Sequence, residues 1–140
     1  MRFYWDTTAA INAAISPAVC DRLNQGEHFT RSHTFWEFFS IMTGRGIGLI
    51  DGRGQVFDLV MSADNAVNWL RGFAARLTVV DLDAKEALDG LDKAQSLNVT
   101  VHKVYDYGHA LSAKKAKADA ILTRNTKDFA AVSRLKVEWP

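Results

Sequence analysis

Short β-prone runs alternate with helix-prone segments along almost the whole of this chain, and that alternation limits its fold more than any other feature. "FYW" at 3–5, residues 28–31, "LTVVDL" at 77–82, "AIL" at 120–122 and "LKVEW" at 135–139 have the length and residue content of strands. Helix-prone stretches lie between them. "TTAAINAAI" follows Asp6, Ser16-Pro17 opens a helix running to about Asn24, and Ser32 and Ser62 cap two more. Further helices are expected at 83–95, 103–117 and 126–132. This succession predicts an α/β fold with an open, mostly parallel β-sheet flanked by helices on both faces. At 140 residues, 48% of them hydrophobic, the chain has apolar mass for one core, so a single domain over 1–140 is expected.

Two segments need separate mention. "IGLIDGRGQVFDLV", within 47–60, reads as two short strands around a Gly-rich turn. The helix after Ser62 places Ala63, Val67, Leu70 and Ala74 on one stripe, which predicts its buried face.

Charge and cysteine content exclude several classes. A formal net charge of +1 gives no general basic coat, so any nucleic acid must be held by local Lys/Arg patches. The single cysteine, Cys20, excludes an internal disulfide and a CxxC zinc pair, and fits a reducing, cytoplasmic compartment. "MRFYWDTTAA" has no charged-then-apolar leader pattern, and no window reaches the ~18 apolar residues of a membrane span.

In an open parallel sheet, ligands bind where strands end and the helices above them begin. Asp6 ends the first strand, and Asp128 follows the strand end marked by "ADAILTRNTKDF". Glu37 sits at the edge of the apolar arc of its helix, and Asp106 has Ala110 and Ala113 on its own stripe, leaving room around the carboxylate. Each acid also has an ordinary reading: Asp6 as a helix N-cap, Glu37 as a solvated edge, Asp106 as surface charge, Asp128 as a capping-box acid with Asn125. If the four converge, burial and like charge would protonate them unless a cation offset the repulsion, which implies a divalent metal. An all-oxygen site favours Mg²⁺ or Mn²⁺ over zinc. The histidines at 28, 33, 102 and 109 have no metal-ligand spacing and read as surface or packed side chains.

"FYWDTTAAI", "SHTFWEF", "VYDYGHAL" and "ILTRNTKDFAAV" together resemble the ordered acidic motifs of PIN-domain ribonucleases, most closely the VapC-like toxins of bacterial toxin–antitoxin pairs. The resemblance covers nearly the whole chain, and Thr-x-Asn-x-x-Asp-Phe is its most specific part. It implies a single PIN-like domain and a Mg²⁺- or Mn²⁺-dependent endoribonuclease. Asp6, Glu37, Asp106 and Asp128 would be its catalytic acids and metal ligands, supported by Thr123 and Asn125. Arg124 and Lys127 would hold the RNA, with Arg31, Arg45, Arg53, Lys114, Lys115 and Lys117 as further candidates for its backbone.

The partners so implied are an RNA substrate, a cognate antitoxin and a second copy in a homodimer, with no membrane. The chain departs from the pattern at Thr8, where many members have Asn, at Trp36, a bulky neighbour of Glu37, and in the hairpin at 47–60. Two other classes compete: a catalytically degenerate PIN-fold binding or scaffold module, and a haloacid dehalogenase-like phosphatase. The latter requires Asp two residues after the first, where this chain has Thr8.

Overall fold

Tyr4 and Trp5 are adjacent and fully buried, yet they enter different cores, as alternation along a strand buried on both faces requires. They belong to β1 (Arg2–Trp5), the middle strand of the sheet. The computed structural model describes residues 1–99 and 101–140. β1 pairs with β2 (Glu27–Thr30) on one side and β6 (Ala120–Leu122) on the other, and β5 (Thr78–Val79) and β7 (Lys136–Glu138) form the edges. The order is β5-β2-β1-β6-β7 and every pairing is parallel, so the predicted α/β class is the observed one.

One face is covered by α1 (Thr7–Ile15), α3 (Ser32–Thr43) and α4 (Ala63–Ala74), whose Ala9, Ala10, Phe38, Met42 and Phe73 pack with Trp5 and Leu122. The other carries α6 (Lys103–Lys115) and α7 (Thr126–Val132), where Ala110, Ala113 and Phe129 pack against Tyr4, Phe29 and Ile121. α5 (Ala84–Ser96) lies outside α6, with Ala94 meeting Tyr107. Alanines on the inner faces of α1 and α6 bring helix and strand backbones close together.

Several local expectations are corrected. The helix after Ser16 is one turn, α2 (Pro17–Cys20), followed by a 3₁₀ turn over Asp21–Asn24, and the Ser16 side chain makes no capping bond. Ser32 is the first residue of α3 rather than its cap; its N–H donates to Asp81 Oδ1 at 2.8 Å. That contact helps explain why "LTVVDL" yields only a two-residue edge strand: the chain turns after Val80 and sends Asp81 to the start of α3.

The buried stripe of α4 runs through Ala66, Trp69 and Phe73, with Ala63 and Val67 exposed. Aromatic area decides the rotation. Trp69 stacks between Phe38 and Phe73 at centroid distances of 4.7 and 4.9 Å, which buries more surface than Ala63 or Val67 could.

The hairpin forms as expected from β3 (Ile47–Ile50) and β4 (Val56–Leu59), a separate antiparallel pair. Asp51 Oδ1 closes the turn by accepting from the N–H groups of Arg53 and Gln55 at 2.8 and 3.0 Å, and Gly54 takes the left-handed φ of +80°. Among the described residues no helix is long and apolar enough to cross a membrane.

Candidate active site

Register brings the two strand-end motifs together. Trp5 pairs with Leu122, so the next residues, Asp6 and Thr123, emerge side by side at the carboxyl edge, where the chain leaving β1 runs to β2 on one side and the chain leaving β6 runs to β7 on the other. Asp6 is the N-cap of α1 and accepts from Ala9 N–H at 2.8 Å. The Thr123 hydroxyl donates to Asp6 Oδ2 at 2.6 Å and that of Thr8 to Oδ1 at 2.8 Å. Each hydroxyl has one proton, so both are used on the carboxylate and the 3.2 Å approach between the two threonines adds no bond. The hydroxyl oxygens then accept from backbone N–H groups, Thr123 from Asn125 at 2.9 Å and Thr8 from Arg124 at 2.9 Å. Asp6 is therefore a cap and a held carboxylate at once. Burial raises its carboxyl above the ordinary range, against the pull of His109 and of these donors.

Asp106 occupies the first turn of α6 and accepts from Asn125 Nδ2 at 3.1 Å, so Asn125 ties the β6 end to the second acid. Burial, reinforced by the carboxylates of Asp6, Asp128 and Glu37 and opposed by His109, pushes the Asp106 carboxyl up to about 6. The charges of the other three predicted acids are thus all felt at Asp106. Asp128 adds its charge from the first turn of α7, where Asn125 is the N-cap residue without a side-chain capping bond.

Glu37 faces two imidazoles, with Oε1 3.0 Å from His33 Nε2 and 3.5 Å from His109 Nε2. Neither ring N–H is aligned for a hydrogen bond, and Glu37 Oε1 and the nearby Thr7 Oγ1 are buried oxygens with no hydrogen-bond partner among the described residues. Burial would raise the Glu37 carboxyl, but His109 and His33 outweigh it and hold it below the ordinary range. His109 is itself buried and meets the Tyr4 hydroxyl through Nδ1 at 3.0 Å.

His109 is a packed histidine, as the sequence reading allows, and it stands between Glu37 and Tyr4. One sequence signal points to it, its position three residues after Asp106 on the same helical face. Thr8, a departure from the family pattern, is here a direct partner of Asp6. Trp36 does not crowd Glu37, being 77% exposed.

The predicted cations divide. Arg124 and Lys127 are exposed beside the strand end, the Arg124 guanidinium 5.0 Å from the ring centroid of Trp139. Arg31 packs over Gly108, where a side chain would strike its guanidinium. Arg45 joins Arg124, Thr8, Ile41 and Ile47 in lining a groove of about 590 Å³, so the hairpin at 47–60 walls a cleft that opens from Asp6 through Thr8. Arg53 is exposed in the hairpin turn. Lys114, Lys115 and Lys117 do not join the site. α6 runs from the carboxyl edge at Asp106 toward the amino edge, where Lys117 O accepts from Arg2, while Lys115 Nζ is tied to Asp81 O at 2.8 Å and to Glu86 at 2.5 Å.

The donor set suits a hard divalent cation in charge and in oxygen chemistry: four carboxylates, one bearing a bare buried oxygen. It is not pre-arranged as a ligand shell, for among the described residues no three His, Cys, Asp or Glu side chains are disposed to hold one ion. No known protein family matches the chain over its sequence, and no curated protein matches it.

Proposed function

We propose that the chain is a metal-dependent endoribonuclease of the PIN-domain kind, acting as the toxin of a toxin–antitoxin pair in the cytoplasm. The observation that carries this reading is the state of Asp106, whose carboxyl is pushed up to about 6 by burial and by Asp6, Asp128 and Glu37. Three carboxylates that raise the cost of ionising a fourth, half-buried one at a sheet's carboxyl edge are a destabilising arrangement unless they serve a cation. The motif resemblance supports the same assignment.

Mg²⁺ or Mn²⁺, when bound, supplies Lewis acidity and charge neutralisation at a scissile phosphate. Asp6, Glu37, Asp106 and Asp128 would hold it. Thr123, Thr8 and Ala9 N–H fix the orientation of Asp6, and Asn125 fixes Asp106. Arg45 and Arg124 along the groove, with Lys127 beside it, offer charge to the RNA phosphates. Exposed Ile50, Val56 and Phe57 on the hairpin supply apolar surface for an antitoxin or a second copy in a dimer.

The test is cleavage of RNA by the purified chain with Mg²⁺ or Mn²⁺, which Asp6→Asn should abolish while keeping the N-cap. A catalytically degenerate PIN-fold module is the second reading, favoured by the lack, among the described residues, of three acids poised to ligate one ion. Binding of RNA without metal-dependent cleavage by the wild type would establish it.

A further inference from the structure

We propose that the open face of Tyr105 is a stacking platform for one unpaired nucleobase beside the acid cluster. The inference rests on the nuclease reading above and names a residue that positions its substrate.

Tyr105 precedes Asp106 in the first turn of α6, and its ring lies against that of His33, with centroids 5.4 Å apart and planes 12° from parallel. The ring is thus held on one face while the residue stays 53% exposed, leaving the other face to solvent. His33 Nε2 is in turn 3.0 Å from Glu37 Oε1. A line of contacts therefore runs from the acids through His33 to an open aromatic face. A base resting there would set its own phosphate near the carboxylates.

Two neighbours fit the same occupant. The Arg31 guanidinium packs over Gly108, three residues beyond Tyr105 on the same side of α6, where it can meet a phosphate. Trp36, 77% exposed, stands three residues after His33 and projects from the same side of α3, offering a second ring to the next base. Large aromatic side chains left in water beside a charged cleft suit a ligand that brings both rings and phosphates. A base has a π-face whatever its identity, so the platform tolerates any sequence. It rejects a duplex, whose bases are covered on both faces.

The experiment uses short single-stranded oligonucleotides carrying 2-aminopurine, without added metal, read by anisotropy for binding and by quenching for stacking. Wild type should bind and quench, Tyr105→Phe should do the same, and Tyr105→Ala should lose the quenching and bind at least about fivefold more weakly. The matching duplex should show no dependence on residue 105. Equal binding and quenching by Tyr105→Ala, with RNA still cleaved at an unchanged KM, would overturn the platform and leave the nuclease standing. A wild type that neither binds the oligonucleotides nor cleaves RNA would overturn both. Because Tyr105 is half exposed, its truncation leaves the fold intact, and circular dichroism verifies this.

Discussion

The Thr123 hydroxyl donates to Asp6 Oδ2 at 2.6 Å, joining residues 117 positions apart at the ends of two adjacent parallel strands. Thr123 Oγ1 in turn accepts from Asn125 N–H at 2.9 Å, and the Asn125 side chain donates to Asp106. One buried threonine thus links the first acid to the residue that holds the second.

Thr123→Val should test that link, since valine keeps the shape and removes both the donor and the acceptor. A fully buried Asp6 oxygen and the Asn125 N–H would lose a partner, at a cost of about 1–3 kcal/mol in urea unfolding. Thr123→Ser, which restores the hydroxyl, should recover most of the loss. Equal stability of the valine variant and wild type would show the bond to be incidental.

Asp106→Asn should stabilise the metal-free protein at neutral pH. The Asp106 carboxyl ionises at about 6 in the fold and near ~4 in an unfolded chain. Below the unfolded value it is protonated in both states and imposes no penalty. As pH rises toward the folded value, the unfolded chain releases its proton first and stability is lost. With chelator present, the variant should therefore melt several degrees higher than wild type at pH 7.5, and the gap should close as pH falls from about 6 to 4. A variant that melts lower at pH 7.5, by the same margin at every pH, would remove Asp106 from the repelling cluster.

Metal should reverse that order. Millimolar Mg²⁺ or Mn²⁺ binds only the folded site, so it should raise the melting temperature of wild type, with most of the shift lost in Asp106→Asn. Protons compete for the same carboxylate, so the wild-type shift should fade as pH drops through about 6. An unchanged melting temperature at both pH values would count against a metal at these acids.

What is legible in the sequence is what local pattern determines. Asp6 and Thr123 lie one residue beyond strands whose apolar runs end abruptly, and parallel pairing then makes them neighbours. The hairpin follows equally from turn chemistry, through Asp51 and Gly54. Contacts between distant elements decide the rest. Spacing along α6 puts His109 on the Asp106 face, but its partners, Glu37 on α3 and Tyr4 on β1, come from tertiary packing. The cations at 114, 115 and 117 resemble a phosphate patch in the sequence, but they stand at the far end of α6 from Asp106, and Lys115 is tied to Asp81 O and Glu86. The face of α4 depends on Trp69 fitting between two phenylalanines, a matter of tertiary shape rather than of period.

Asp128 gives the sharpest division between a structural and a chemical role. As a capping acid it would bond backbone N–H groups at the start of α7, and Asn125 would use its side chain in the same way. Instead Asn125 makes no side-chain cap and turns its amide to Asp106, while the Asp128 charge falls on that same carboxyl. Asn caps almost as well as Asp, so Asp128→Asn should change stability by less than about 1 kcal/mol. The substitution does remove a negative charge from the site that would hold the cation. Cleavage of RNA should therefore fall at least about tenfold, equivalent to ~1.4 kcal/mol of transition-state stabilisation, while the unfolding midpoint stays near that of wild type. Near wild-type cleavage by a stably folded Asp128→Asn would return this residue to the helix start and reduce the acid cluster to Asp6, Glu37 and Asp106.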